Sequence, residues 1–244
     1  MLEDYFKTHI PEFNINNSLL VARPGLIFIA ILIVPVLLFW ILELTALRNV
    51  FLAVLLFVVW FFRDPHRQVP PEGFGLAPAD GKIIRVDKKA TCPVTGRPSL
   101  KISVFMNIFS VHVNRIPTNG VLLEQVYHPG SFWDASLDKA SDKNERNSLF
   151  IRDDMGREFV MVQIAGLIAR RIVSWVEPGA ELARGQRCGM IRFGSRVDLY
   201  LPPSAIPMVA LGQTVKAGWS PLFRYPENRE KKEETGENES LMAA

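Results

Sequence analysis

The sequence predicts a mainly β domain of sandwich-like build, preceded by an N-terminal hydrophobic helical hairpin. Three observations predict it. Short runs rich in β-branched and aromatic residues, punctuated by glycine and proline, recur between positions 82 and 201. Between Arg23 and Arg63 the only charged residues are Glu43 and Arg48. Late in the chain, Gly179-Ala-Glu-Leu-Ala-Arg-Gly185 and Gly212-Gln-Thr-Val-Lys-Ala-Gly218 each set two glycines six apart around an apolar residue, a weak internal repeat of turn-forming type.

The hairpin follows from length and charge. Gly25 to Leu42 is a charge-free run of 18 residues, about 27 Å as a helix against a hydrocarbon core of about 30 Å. Leu44 to Phe62 gives a second run of 19 residues, interrupted only by Arg48 near its start. Both runs are apolar on every side, without the 3.6-residue alternation that leaves one side of a soluble helix wet. Membrane embedding follows, either as a crossing hairpin or as one that dips into a single leaflet, with Pro35 a possible kink. Trp40 and Trp60 suit interfacial anchoring. Glu3, Asp4, Lys7 and Glu12 precede the first run, which argues against a cleaved leader. Arg23 at the entrance and Arg63, His66 and Arg67 at the exit place both ends, and the domain that follows, on the cytoplasmic side of the cell membrane.

At 244 residues with 48% hydrophobic content the chain can hold one sizeable core plus that appendage. Its two cysteines, Cys92 and Cys188, have no metal-ligand spacing, so neither a disulfide framework nor a metal site is expected. The net charge of +3 includes an acidic end with Glu227, Glu230, Glu233, Glu234, Glu237 and Glu239, so the remainder is more basic than the total. A basic body beside a membrane favours anionic lipid as partner. Nucleic acid is the weaker reading and is not expected as a partner, since Lys and Arg are scattered and no recognised motif occurs.

Segments 1–22 (N-terminal), 23–63 (hairpin), 64–225 (globular domain) and 226–244 (disordered charged tail) follow from these shifts in composition. Asp64 to Gly75 reads as a linker, with Ala79-Asp80-Gly81 as a turn into a strand from Lys82 to Val86. Further strands are expected at Leu100 to Met106, Gly120 to Tyr127, Leu149 to Ile151 and Glu158 to Ile164. The charged run from Ser131 to Asn147 reads as a solvated loop or exposed helix.

The chemistry centres on Met190-Ile-Arg-Phe-Gly-Ser-Arg-Val-Asp-Leu-Tyr-Leu-Pro202. Apolar and polar residues alternate after Gly194-Ser195, as in a strand. A glycine turn between strands leaves its carbonyl without side-chain cover, one bond from a hydroxyl that could attack it. A serine hydroxyl needs a base to take its proton, and of four histidines only His112 and His128 lie in the domain. Taken alone, Gly194-Ser195 also fits a tight turn, and Asp80 a turn residue bonding nearby backbone.

This stretch resembles the self-cleavage segment of the pyruvoyl-dependent phosphatidylserine decarboxylases, especially their short form. The resemblance takes in Phe61-Phe-Arg-Asp-Pro-His-Arg67, Ala77-Pro-Ala-Asp-Gly-Lys82, Phe105-Met-Asn-Ile-Phe-Ser-Val-His-Val-Asn-Arg-Ile-Pro117, Tyr127-His-Pro-Gly-Ser131 and Asn144-Glu-Arg-Asn147, in family order. It implies that Asp80 orients His112, that His112 takes the Ser195 proton, and that the alkoxide attacks the Gly194 carbonyl. The ester then eliminates, and loss of ammonia leaves a covalent pyruvoyl group derived from Ser195 at the head of a smaller chain, 195–244. That cofactor would decarboxylate phosphatidylserine to phosphatidylethanolamine through a Schiff base with the substrate amine. The two chains of the proenzyme, membrane lipid and a second copy of the protein are the partners this implies.

Two features depart from the long-form pattern, where Leu-Gly-Ser-Thr stands in place of Phe193-Gly-Ser-Arg196 and two histidines lie three apart in place of His112 and Arg115. His112 therefore serves both cleavage and turnover, or His128 takes one role. The paired glycine turns resemble those of lipoyl and biotinyl carrier hairpins, without a carrier lysine. Rival readings are an uncleaved membrane-tethered β-sandwich adaptor and a serine hydrolase acting through Ser195 on an external substrate.

Overall fold

The computed structural model describes residues 20–131, 144–166, 171–192 and 194–226. The acidic tail after Pro226, most of the charged run before Asn144 and the first 19 residues, each assigned a character from sequence, lie outside the described residues.

Helix α1 (Arg23–Ile41) and helix α2 (Thr45–Phe61) form the hairpin. Pro24 in the first turn of α1 costs no hydrogen bond there, and Pro35 lies inside the helix. α1 is long and apolar enough to cross a bilayer, while α2, at 17 residues, is shorter. Almost none of α1 is covered by protein: Leu37, Trp40 and Ile41 are exposed, and Phe39 meets Phe51 of α2 at 5.4 Å. The hairpin is closed at its base, where the Ala22 N–H bonds the Phe62 carbonyl at 2.7 Å and the Asp64 N–H bonds that of Leu20 at 2.9 Å. Gly25 lets the first helix meet Phe62, since a Cβ there would lie 2.5 Å from the ring.

The domain contains strands β1 (Gly75–Leu76), β2 (Gly81–Thr91), β3 (Pro98–Met106), β4 (Val113–Arg115), β5 (Gly120–His128), β6 (Arg146–Asp153) and β7 (Glu158–Ala165). They are followed by β8 (Ile172–Ser174), β9 (Glu181–Leu182), β10 (Arg187–Ile191), β11 (Ser195–Leu201), β12 (Ile206–Pro207), β13 (Thr214–Val215) and β14 (Pro221–Arg224). Eight of them make one sheet in the order β13-β2-β3-β11-β7-β6-β5-β9, faced by two three-stranded sheets, β1-β14-β12 and β4-β10-β8. The small sheets contribute Leu222, Phe223, Cys188 and Ile191 to the core that Val104, Met161, Val197 and Leu199 fill from the large one. Mainly β architecture behind a helical hairpin is what the sequence predicts.

Apolar and polar residues alternate along β11, and all seven of its residues are buried. Val197, Leu199 and Leu201 face the main core. On the other face Tyr200 packs with Val160, Val162 and Ile164, and buried Asp198 is ion-paired to Lys101 at 3.1 Å and Arg196 at 2.9 Å. A charge survives burial when it is paired, which is how a polar strand face comes to lie inside.

The internal repeat frames the sheet. β9 lies within the first copy and β13 within the second, and they form the sheet's two edges. The partners match position by position. Gly179 and Gly185 donate N–H bonds to Leu122 and Ile116, and Gly212 and Gly218 to Ile83 and Ala77. Ala77-Pro-Ala-Asp-Gly-Lys-Ile83 and Ile116-Pro-Thr-Asn-Gly-Val-Leu122 are therefore equivalent segments, each turning through a glycine into a long strand. At both glycines, Gly81 and Gly120, a Cβ would overlap a backbone carbonyl of the neighbouring strand.

Candidate active site

Ser195 opens β11, between Met106 of β3 and Ala165 of β7. Gly194 before it has φ of +56°, a left-handed conformation that suits glycine, and open space where a Cβ would be. The Ser195 side chain is wholly buried and its Oγ has no hydrogen-bond partner among the described residues.

His112 lies just before β4, and its carbonyl accepts the Ile191 N–H of β10 at 3.3 Å, which ties it to the strand leading into the Gly194 turn. The imidazole is wholly buried, its ring 4.3 Å from that of Phe61 and tilted 33° to it, and among the described residues neither ring nitrogen has a well-aligned hydrogen bond, the Ser110 backbone being a weak partner only. Burial first, and the nearby Arg63 cation second, push its pKa down to about 4; the Ser110 backbone opposes them more weakly. The histidine is thus a neutral base at ordinary pH. Phe61 and Phe62, at the hairpin base, pack with Val111, Val113 and Met190 of the domain, so the last turn of α2 walls in His112.

The described contacts of Asp80 lie with the linker and the second glycine turn. Its carboxylate takes a two-pronged ion pair from Arg67, each contact 2.7 Å, and its Oδ1 also accepts the Ala217 N–H at 2.7 Å. The equivalent residue in the other repeat, Asn119, accepts the Arg184 N–H at 2.7 Å through its Oδ1. Both residues therefore cap the same turn, and the carboxylate adds a grip on the linker. Further along that linker, Asp64 pairs with Arg115 at 3.4 Å and Arg187 at 2.5 Å. Arg115, standing where the long form carries a second histidine, donates to the Gly185 and Pro65 carbonyls; burial is the first cause pushing its pKa down to about 10.

His128 is placed away from Ser195. It pairs in register with Arg146, which pairs with Ile164, which pairs with Arg196. Residues in one such row share a face of the sheet, and Ser195 is one residue out of step, on the other face. Three strand spacings separate His128 from position 196, about 14 Å. His128 lines a groove of about 460 Å³ with Glu124, Arg146, Phe150, Ile164 and Tyr200.

Sequence reasoning missed what holds Ser195 in place. A chain of buried amides runs from Asn147 to Gln163 at 2.9 Å, from Gln163 to Asn114 at 2.8 Å, and from Asn114 to the Met106 sulfur at 3.6 Å. Asn144 donates to the Ala165 carbonyl at 2.7 Å, and the Glu145 carboxylate accepts the Ile172 N–H at 3.0 Å. Both register partners of Ser195 are thus gripped by side-chain amides, which gives Asn144-Glu-Arg-Asn147 its structural role. The available signal was an Asn or Gln in each of three strands that otherwise bury apolar residues.

A buried polar atom left unbonded costs roughly 1–3 kcal/mol, and a catalytic role is one explanation of it. Ser195 Oγ and the two nitrogens of His112 are among such atoms of the described residues, and a hydroxyl and an imidazole left uncommitted fit an enzyme that uses a nucleophile and a base. Comparison with known proteins makes this particular. The phosphatidylserine decarboxylase family model matches residues 54–222, beginning inside α2. A protein of Syntrophus aciditrophicus is 46% identical over 207 residues, covering 84% of this chain and 97% of its own. One of Nitrosomonas eutropha is 56% identical over 173 residues (70% and 80%), and one of Oleidesulfovibrio alaskensis 52% over 187 (76% and 85%). Each bears the name phosphatidylserine decarboxylase proenzyme. The chain belongs to the phosphatidylserine decarboxylase family.

Proposed function

We propose that this chain is a self-cleaving proenzyme that cuts between Gly194 and Ser195 and decarboxylates phosphatidylserine. The observation that carries the reading is the left-handed Gly194, with open space where a Cβ would be, directly before a buried Ser195 hydroxyl that has no hydrogen-bond partner among the described residues. His112 takes the hydroxyl proton as Oγ attacks the Gly194 carbonyl carbon. The C–N bond breaks, nitrogen recovers a proton, and an ester joins Gly194 to the Ser195 oxygen. Loss of the residue-195 Cα proton expels the Gly194 carboxylate and leaves a Cα=Cβ double bond; water then releases ammonia from the nitrogen. The covalent pyruvoyl group so derived supplies a carbonyl that serves as electron sink for loss of carbon dioxide. A buried, uncommitted side chain at position 195 fits that group, and the amides that fix Met106 and Ala165 hold its strand.

The hairpin is read as the membrane anchor, with the domain on the cytoplasmic side. A guanidinium lies over a tryptophan at each end, Arg48 over Trp40 at 5.0 Å and Arg63 over Trp60 at 4.2 Å. Such pairs suit the two polar boundaries of a bilayer. An anchored enzyme meets a substrate that stays in the membrane.

Intact mass and a denaturing gel test the reading. Wild type should give two chains, the smaller starting at 195 without a free amine, and Ser195→Ala a single chain. A wild-type protein that stays whole through prolonged incubation overturns it.

A further inference from the structure

Between β3, which ends opposite Ser195, and His112 lies a four-residue turn, Asn107 to Ser110. It is rigid. The Asn107 carbonyl accepts the Ser110 N–H at 3.0 Å, and its side-chain Oδ1 accepts the Phe109 N–H at 2.9 Å and the Ser110 hydroxyl at 3.3 Å. The turn points Ile108 inward against the hairpin base, while Phe109 stands 66% exposed. The Phe109 ring lies 5.8 Å from Trp60, edge to face, and its carbonyl accepts a 2.7 Å bond from the same Arg63 guanidinium that covers Trp60.

A large ring fixed in water by a stiff turn is unfavourable in a soluble protein, and favourable where it can enter an apolar boundary. Here the exposed ring continues the uncovered apolar surface of α2, at the depth of its last tryptophan. Arg63 beside it offers a cation to lipid phosphate. We propose that the Asn107–Ser110 turn is a second membrane contact. Phe109 enters the headgroup–acyl boundary of an anionic lipid surface beside Trp60 and holds the segment between Ser195 and His112 against the bilayer. This rests on the membrane residence proposed above and extends it from the hairpin to the catalytic domain.

Both native cysteines are buried, so Phe109→Cys supplies an accessible thiol for an environment-sensitive fluorophore. Met155→Cys is the control: that residue is 63% exposed in the β6–β7 turn, at the opposite end of the sheet from Ser195. Each full-length protein is reconstituted in phosphatidylcholine–phosphatidylglycerol vesicles and checked by flotation. The label at 109 should be quenched by nitroxide on the upper acyl chain and shielded from aqueous iodide, with the reverse at 155. A floating protein whose label at 109 is quenched like that at 155 overturns this proposal alone. Failure to float overturns it together with the membrane reading. Neither outcome depends on cleavage, so the self-cleavage reading stands or falls separately. As a second arm, Phe109→Ser should lose activity several-fold on vesicle-borne phosphatidylserine and keep it on a soluble short-chain analogue, with Phe109→Leu restoring the first. Equal activity of Phe109→Ser and wild type on vesicles also counts against the contact.

Discussion

His112 and His128 are the two histidines of the domain, and they stand on opposite sides of its main sheet. His112 is sealed between the hairpin base and β10, with no well-aligned hydrogen bond to either nitrogen among the described residues. His128 is half-buried in a groove on the far face, in a register row that ends at Arg196 rather than Ser195. Residue type made them equal candidates, and sheet parity separates them. A strand reverses the direction of its side chains at every residue, so one step in register is the difference between facing a site and facing away from it.

The sharpest way to break this comparison is to remove His112. His112→Ala should mature at least about a hundredfold more slowly than wild type, the usual range for loss of a general base; maturation at the wild-type rate on a time-resolved gel would return both histidines to equal standing. Next comes the wall behind it. With its pKa near 4, His112 stays neutral across ordinary pH, so cleavage should be flat above about pH 5 and fall around pH 4. Phe61→Leu, which keeps bulk but opens the stacked face, should move that fall upward towards the ordinary 6.5; an unchanged pH profile would mean that Phe61 does not control the imidazole. The same burial has a stability consequence. Between pH 6.5 and 4 the unfolded chain takes a proton that the folded one refuses. This contribution to stability is therefore complete above about 6.5 and declines as pH falls towards 4.

A smaller effect is expected at Asp80. The family resemblance implies a carboxylate that orients the base, whereas the structure shows a turn cap matched by Asn119 in the other repeat. Asp80→Asn keeps the cap and weakens only the Arg67 grip, so it should cleave within a few-fold of wild type. Asp80→Ala should in addition lose about 1 kcal/mol of stability in thermal unfolding. An Asp80→Asn chain that folds normally yet stays whole would restore the carboxylate to the chemistry. The smallest effect belongs to His128→Ala, which should leave both cleavage and carbon dioxide release from carboxyl-labelled lipid unchanged; loss of release alone would show that the far face reaches the site after cutting.

Much of this molecule was legible before folding. The absence of charge from Gly25 to Leu42 dictates a helix that water cannot surround, whatever follows it. The alternation of apolar and polar residues after Ser195 dictates a strand, the glycine before it dictates an uncovered carbonyl, and the spacing of Gly179, Gly185, Gly212 and Gly218 marks two equivalent turns. These are local properties, set by backbone sterics and by the transfer of side chains out of water. What only the tertiary structure decided is who meets whom: Arg67 on Asp80, Phe61 on His112, Gln163 between Asn147 and Asn114, and His128 behind the sheet. The first three of those outcomes join segments from 13 to 51 residues apart. The last two depend on strand register, in which a single step reverses every side chain, and no local pattern in the sequence fixes the register between strands so far apart.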